Sequence, residues 1–152
     1  MEQKFLVDAM LGKLARWLRI LGYDTEYVRY LDDPQIIALA RYQKRTLLTK
    51  DRKMAQKAPN IAYLVKSVEW EKQVKEIIQV FHLNADYLLS RCPECNQKLI
   101  KISPAEAKSL VPLFVAHTFQ QFKKCPQCQQ VYWNGTHWQR IAKLCHEFLK
   151  SQ

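Results

Sequence analysis

The residues with the clearest chemistry are four cysteines in two closely spaced pairs. Cys92 and Cys95 form one C-x2-C pair, Cys125 and Cys128 form another, and 29 residues separate the two pairs. Two residues between thiolates let one tight turn direct both sulfurs to one ion, and two such turns complete a tetrahedral zinc site. The alternatives are disulfides or a redox motif, but a redox C-x-x-C normally occurs singly. We predict a closed structural zinc site, and we interpret the fifth cysteine, Cys145, as a buried, inert thiol.

Aspartates near the predicted strand ends form the second group. Asp8 follows the first apolar run, Asp51 follows the third, and Asp33 opens the second predicted helix beside Asp32. Acids at the carboxyl ends of parallel strands lie at one edge of the sheet, where they repel each other unless a cation lies between them. We therefore predict that these acids are catalytic and hold Mg²⁺ or Mn²⁺, which activates water against a phosphodiester. The alternative is that each aspartate only caps a helix.

Basic and aromatic side chains follow Asp8 on the next predicted helix. Lys13, Arg16 and Trp17 share the face opposite the apolar stripe, and Arg19 lies on its flank. Cations beside a metal site suit a phosphate backbone, and a tryptophan can stack on a base, so we predict that these four residues bind nucleic acid. The alternative is a solvated basic face whose Trp17 packs against the second part of the chain.

A second aromatic and basic run lies at 133–140, with the sequence WNGTHWQR. It is either a nucleic-acid contact or the small core of the zinc module. His137 within this run is a candidate acid or base.

Composition restricts the class of protein. The chain has 152 residues, with 24 Lys+Arg against 14 Asp+Glu and a formal net charge of +10. This balance favours a polyanionic partner, nucleic acid before membrane. Hydrophobic residues make up 48% of the chain, which excludes wholesale disorder. No apolar run approaches the length of a membrane span, and the first residues do not resemble a signal peptide, so we expect a cytoplasmic protein with reduced thiols.

Strands and helices alternate in the first part of the chain. Apolar or β-branched runs predict strands at 4–7, 25–30, 45–49 and 61–65. Helical periodicity and capping residues predict helices at 10–21, from Asp33 as N-cap through Ala40, after Asp51, and at 70–81. This alternation, with strands apolar along their length, is typical of a parallel sheet with helices on both faces.

The pattern changes after residue 91. All five cysteines lie beyond this position, whereas 11 of the 14 acids lie before it. Ser103 and Glu106 predict a brief helix closed by a capping box, and Asn134-Gly135 predicts a β-hairpin between 131–133 and 136–138. We predict two parts, an α/β domain at 1–88 and a zinc-binding module at 89–152.

Several of these motifs together resemble a known ribonuclease family. The segments are FLVDAMLGKLARWLRILGYDT at 5–25, the D-x-x-I-I-A-L-A run at 33–40, LLTKDRK at 47–53, and the CPEC…CPQC…VYWNGTHW tail. They resemble the PIN-like ribonuclease domain with a C-terminal zinc ribbon that is found at the C-terminal end of the Mut-seven exonuclease. The resemblance implies a three-layer PIN-like α/β fold with a mainly parallel sheet, and divalent-metal-dependent cleavage of RNA.

The resemblance also implies roles for single residues. Asp8, Asp33 and Asp51 match the acids of the family, and the four paired cysteines match its zinc ligands. Many PIN nucleases have a fourth acid, either two residues after the third or beyond the fourth strand. Here those places hold Lys53 and Lys66-Ser67. A site with three acids is expected to hold one metal ion well and a second one poorly.

We therefore expect a ribonuclease with a structural zinc ion, a catalytic Mg²⁺ or Mn²⁺ ion, and RNA as its partner. Lys13 and Arg16 would hold the RNA backbone and offset charge on the phosphate. The alternative is a non-catalytic RNA-binding or ribosome-associated protein whose aspartates serve only as caps. A toxin-like nuclease under the control of a partner is a third alternative, which the ribbon disfavours.

Overall fold

The structure is a computed structural model that describes residues 2–150. Seven strands lie in this part of the chain: β1 (Phe5–Val7), β2 (Thr25–Tyr27), β3 (Thr46–Thr49), β4 (Ala62–Leu64), β5 (Ile100–Ile102), β6 (Phe122–Lys124) and β7 (Val131–Trp133). A 3-10 turn at Ala9–Leu11 precedes seven α-helices: α1 (Gly12–Ile20), α2 (Asp33–Gln43), α3 (Arg52–Lys57), α4 (Trp70–Phe81), α5 (Pro104–Ala107), α6 (Leu113–Thr118) and α7 (Thr136–Lys150).

The first four strands form a parallel sheet in the order β2-β1-β3-β4. Val7 of β1 pairs with Tyr27 of β2 on one side and with Leu48 of β3 on the other. The side chains of β1 alternate between the two faces of the sheet, and all of them are fully buried. A strand that is apolar at every position is what burial on both faces requires. The predicted parallel sheet is confirmed.

Helices cover both faces of this sheet. The face that carries Phe5 and Val7 packs against α1 and α4 through Leu14, Leu18, Val74, Ile77 and Ile78. The opposite face, which carries Leu6, packs against α2 and α3 through Ile36, Ile37, Ala40, Met54 and Ala58. The three-layer α/β arrangement predicted from the sequence is therefore confirmed.

The start of α2 differs by one residue from the prediction. Asp33 was predicted as the N-cap, but the N-cap is Asp32 and Asp33 is the first helical residue. The Asp32 carboxylate accepts a hydrogen bond from the backbone N–H of Gln35 at 3.0 Å, and the Gln35 side chain accepts one from the backbone N–H of Asp32 at 3.0 Å. Only the residue three positions before Gln35 can close this reciprocal pair, so the capping box selects Asp32.

The second sheet is small and antiparallel, in the order β5-β6-β7. Ile102 and Phe122 pair across it, and both pack against Ala107 of α5 and Val115 of α6 in a separate apolar cluster. The predicted helix at α5 is confirmed with Ser103 as its N-cap, whose hydroxyl accepts the backbone N–H of Glu106 at 3.1 Å, but the Glu106 carboxylate accepts the Ser103 hydroxyl and does not close the reciprocal half of the capping box. The cysteine pairs flank these strands in sequence, as in a zinc ribbon. Cys92 and Cys95 precede β5, and Cys125 and Cys128 lie between β6 and β7.

The predicted hairpin at Asn134-Gly135 is wrong. Gly135 instead precedes α7, and its carbonyl accepts the backbone N–H of Gln139 at 3.0 Å. Apolar residues recur at helical spacing through this segment, at Ile141, Leu144, Cys145, Phe148 and Leu149, and all pack on the core of the parallel sheet. This burial outweighs the local turn preference of Asn-Gly. No helix in residues 2–150, α7 included, is long and apolar enough to cross a membrane.

Helix α7 docks on α1 and α4 through aromatic rings. Trp17 of α1 stacks on Trp70 of α4, with centroids 5.3 Å apart and an interplanar angle of 19°. Phe148 of α7 meets both indoles edge-on, at 5.8 Å from Trp17 and 6.0 Å from Trp70. The chain thus returns from the ribbon to the first core, while the division at about residue 88 stays a prediction.

We expect Phe148→Ala to lower the free energy of unfolding by about 3–5 kcal/mol, because it empties a buried aromatic site between α1 and α4. Phe114→Ala is the matched control. Phe114 is 75% exposed on α6, so the same truncation should change stability by less than about 0.5 kcal/mol. Urea unfolding of both variants tests this, and equal stability of the two would contradict the docking of α7.

Candidate functional site

The four paired cysteines converge on one point. Among residues 2–150 they form the one group of three or more Cys, His, Asp or Glu ligand atoms lying within 4.8 Å of one another. The Sγ atoms of Cys92 and Cys128 are 3.8 Å apart. A tetrahedral site with Zn–S bonds of about 2.3 Å has sulfur–sulfur edges of about 3.8 Å. The donor set and the spacing therefore fit a structural zinc ion, as predicted.

The two knuckles have the same backbone geometry. In the first, Asn96 adopts a left-handed φ of 66° and its N–H bonds to the Cys92 carbonyl at 2.8 Å. In the second, Gln129 adopts a φ of 68° and its N–H bonds to the Cys125 carbonyl at 2.9 Å. The repeated turn explains why two residues separate the cysteines of each pair.

Charge in the cluster favours a cation. Burial, together with the neighbouring sulfurs of Cys128 and Cys92, raises the pKa of the Cys95 thiol to about 12. Burial acts in the same direction on Cys125, but N–H groups of Cys128 and Gln127 outweigh it and lower the pKa of that thiol. A metal ion removes the repulsion between thiolates, so the cluster suits a bound cation better than four free thiols.

The first knuckle is fixed to the edge of the parallel sheet. The Asn96 side-chain oxygen accepts the backbone N–H of Thr25 at 2.9 Å, and its amide donates to the Asp24 carboxylate at 2.7 Å. Asp24 also pairs with the nearly buried guanidinium of Arg45 at 2.8 Å. The ribbon is therefore joined to β2 by buried polar contacts as well as by α7.

The four residues predicted to bind RNA have different surroundings. Lys13 is exposed, with its Nζ 5.7 Å from the centroid of the Trp70 ring. Arg16 is exposed but forms an ion pair with Glu94. Trp17 stacks on Trp70 of the first part and meets Phe148 of the second part edge-on, and the contact with Phe148 is the packing role that the sequence left open. RNA binding by this group stays a prediction.

Arg19 has a structural role in the first knuckle. Its guanidinium donates to the backbone carbonyls of Thr25 at 2.8 Å and of Pro93 at 3.0 Å. Burial lowers the pKa of Arg19, although Glu26 and the knuckle residues oppose this effect. Most N–H donors of the Arg19 guanidinium are therefore directed at carbonyl groups of the protein itself.

Two of the three predicted catalytic acids meet at the carboxyl ends of β1 and β3. Asp8 is only 6% exposed, and its carboxylate accepts the backbone N–H of Met10 at 3.1 Å and the hydroxyl of Thr49. The same Thr49 oxygen accepts the backbone N–H of Asp51 at 2.9 Å. The Asp51 carboxylate in turn accepts the N–H of Lys53 at 2.9 Å, as the N-cap of α3. One threonine thus links Asp8 to the residue that carries the second acid.

Asp33 is separate from this pair. It lies in the first turn of α2, and its carboxylate is 3.8 Å from Nζ of Lys57 at the end of α3. The three aspartates do not form a cluster like that of the cysteines within residues 2–150. The structure therefore brings together Asp8 and Asp51, and leaves Asp33 beside a lysine.

The loop after β4 carries Lys66 and Ser67, one of the two places where the resemblance led us to expect a fourth acid. Glu76 of α4 accepts the backbone N–H groups of Lys66 at 2.9 Å and Ser67 at 2.8 Å, and the Tyr63 hydroxyl at 2.6 Å. Burial alone raises the pKa of Glu76, but these hydrogen bonds outweigh it and lower the pKa below its usual value. Burial and the nearby Glu76 raise the pKa of Tyr63 to about 12. Glu76 therefore acts as an anchor for the loop.

The sequence did not single out Thr49 or Asn96. Thr49 ends a predicted strand two residues before Asp51, and a hydroxyl at such a position can reach the acid of the neighbouring strand. Asn96 directly follows a C-x2-C pair, where the left-handed turn favours Asn. The signal for each residue lies in its immediate sequence neighbourhood. The residues to which they bond, Asp8 for Thr49 and Thr25 for Asn96, are distant in sequence.

The fold and the two sites define a class of protein, an α/β domain with a parallel sheet joined to a four-cysteine ribbon. The chain belongs to the Mut7-C RNAse domain family, which it matches over residues 3–145. This membership confirms the resemblance and indicates ribonuclease activity in general, with RNA as the substrate. No curated protein matches the chain.

We expect the purified chain to carry about one zinc ion, because the four sulfurs complete one tetrahedral site. Cys128→Ser should lose the zinc and melt at a lower temperature. Cys145→Ala is the control, since Cys145 is buried in the core outside the cluster and its loss should leave the zinc in place. Elemental analysis and melting curves measure both effects, and a zinc-free wild type would contradict the site.

We expect the stability difference between wild type and Glu76→Gln to depend on pH. Because the folded-state pKa of Glu76 is lowered, its contribution is present above the unfolded pKa of about 4.3 and is lost as the pH falls through the folded value. The difference in melting temperature should thus be constant near neutral pH and shrink below pH of about 4. Glu2→Gln, at an exposed glutamate, should show no such difference at any pH.

Proposed function

We propose that this protein is a divalent-metal-dependent ribonuclease that hydrolyses RNA at the carboxyl ends of β1 and β3. The observation that carries the proposal is the Thr49 hydroxyl, which bonds to the Asp8 carboxylate and to the backbone of Asp51. This contact holds two acids at one edge of the sheet, and Asp8 there is nearly buried. A buried carboxylate without a cationic side-chain partner is a candidate for metal binding.

The strand order of the parallel sheet supports the same location for the proposed active site. The chain runs from β1 to β2 on one side and then crosses to β3 on the other side of β1. This reversal creates a crevice between the carboxyl ends of β1 and β3, where open α/β sheets bind their ligands. Asp8 and Asp51 lie at the two sides of that crevice.

The donor set fits a hard divalent cation. Mg²⁺ takes carboxylate oxygens, often only one or two, and keeps several waters. Asp8 and Asp51 would hold the ion, and an ion held there would lower the pKa of water enough for it to lose a proton and act as the nucleophile on a phosphodiester. Asp33 is the third acid of the proposal. Because it forms an ion pair with Lys57, we propose that it contributes less to metal binding than Asp8 and Asp51.

The chain's own cations would hold the phosphate. Lys13 is exposed at the second position of α1, five residues after Asp8, and it forms no ion pair in the described part of the chain. Lys53 is exposed in the first turn of α3, beside Asp51. Both can contact a phosphate at the crevice and offset the charge that develops on its oxygens.

A specific observation favours the second candidate, a non-catalytic RNA-binding protein. Asp8 and Asp51 accept backbone N–H groups at 3.1 and 2.9 Å, and Asp33 lies near Lys57, so each acid already has a protein partner. Under this alternative the acids cap helices, and RNA binds without being cut.

We expect Asp8→Asn and Asp51→Asn to lower RNA cleavage with Mn²⁺ or Mg²⁺ by about 100-fold or more, since loss of even an outer-shell partner of a metal costs about 10–100-fold. Asp33→Asn should cost less. Asparagine is nearly as good a helix cap, so the melting temperatures without metal should change little. The assay compares cleavage by purified wild type and variants.

Asp32→Asn is the matched control for this experiment. Asp32 caps α2 at the same edge of the sheet but is not a proposed metal ligand, so its loss of charge should leave cleavage unchanged. If Asp8→Asn and Asp51→Asn cut at the wild-type rate, the proposed site is wrong. If the wild type binds RNA but never cuts it with either ion, the binding alternative is favoured.

A further inference from the structure

A cavity of about 180 Å³ lies beside the ribbon sheet. Lys123 and Tyr132 of the sheet, Leu89 and Leu99 from the segment before it, and Trp138 of α7 are among the residues that line it. The roles proposed above for the acids do not involve this cavity, and it adjoins the zinc site only through the Tyr132 hydroxyl, which lies 3.3 Å from the Cys92 sulfur.

The register of the ribbon sheet explains why Lys123 and Tyr132 line the cavity together. Lys123 of β6 pairs with Tyr132 of β7, so their side chains share one face. The neighbouring residue Phe122 points to the other face, into the apolar cluster with Val115. Tyr132 is held in place by Trp138, whose ring centroid lies 5.0 Å away at an interplanar angle of 73°.

The charge of the cavity is positive. The Lys123 side chain is half-buried, and its ammonium group forms no hydrogen bond or ion pair within residues 2–150. Arg91, which also lines the cavity, donates to the backbone carbonyls of Gly22 and Asn96 and has no acidic partner within salt-bridge distance in that range. None of the lining residues is acidic. The cavity therefore complements an anionic ligand with an apolar, planar part.

We propose that this cavity binds one unpaired nucleobase of single-stranded RNA, with Lys123 on the adjoining phosphate. Its volume lies below the roughly 300 Å³ at which pockets for drug-sized ligands begin, which suits one planar ring system. Two interactions govern the binding of single-stranded RNA: bases stack on aromatic side chains, and cationic side chains attract the phosphate backbone. The proposal rests on the proposed function, because it assigns the same RNA a second contact on the ribbon.

Lys123 and Lys124 offer a matched pair for the test. They are neighbours on β6, both half-buried, and their side chains lie on opposite faces of the sheet, so only Lys123 lines the cavity. Lys123→Gln and Lys124→Gln remove the same charge. Trp138→Ala removes a ring from the cavity, and Trp138→Phe keeps an aromatic face there.

The experiment measures fluorescence anisotropy of labelled oligouridylate, and of a duplex RNA of equal length, with the zinc-loaded full chain carrying Asp8→Asn. Lys123→Gln and Trp138→Ala should each weaken single-strand binding by about fivefold or more, since a stacked base contributes about 1–3 kcal/mol. Lys124→Gln should change it by less than about twofold, and Trp138→Phe should restore most of the loss. Trp138→Ala should leave duplex binding unchanged, because paired bases cannot enter the cavity.

Equal effects of Lys123→Gln and Lys124→Gln would overturn the proposal, since only the net charge would then matter. Unchanged single-strand binding by Trp138→Ala would overturn it as well. Should Trp138→Ala lose its zinc, the lysine pair decides. The two proposals fail separately: a wild type that never cuts RNA refutes the nuclease, whereas the pattern of binding losses refutes or supports the cavity.

Discussion

The burial of β1 on both of its faces is the constraint on which the rest of the structure depends. Its three side chains are fully buried, and they divide the apolar residues of the chain into two layers. Because neighbouring strands must pair with β1 in parallel, their carboxyl ends meet at one edge. Asp8 is the first residue beyond this strand, so the packing of three apolar residues determines where the acidic edge forms.

Local patterns in the sequence predicted those elements and sites whose formation depends mainly on residues close together in the chain. The apolar run of β1, the stripe of α4 and the two C-x2-C pairs each carry their own signal, and each lies where it was expected. The prediction failed at Asn134-Gly135, because a favourable turn competed with a helix whose apolar stripe becomes useful only against α1 and α4. Local preference was overridden there by burial against residues distant in sequence.

The candidate site was predictable in part for the same reason. Strand ends predicted that Asp8 and Asp51 share an edge, but the link through Thr49 depends on the register of β1 against β3. Trp17 looked free to stack on a base, yet its partner Trp70 is supplied by a different helix. Register and helix docking are products of the whole fold, so the sequence could not supply these contacts.

The return of α7 to the first core has a consequence for folding entropy. Between the end of α4 and the start of α7 lie 54 residues, whose ends must be brought together before Phe148 can pack. A metal ion held by the four cysteines fixes the segment from Cys92 to Cys128 and leaves 17 of these residues free. Loop-closure entropy then opposes docking by about 1 kcal/mol less. A metal ion bound in the ribbon would in this way favour the docking of α7 on α1, the helix that follows the acidic edge.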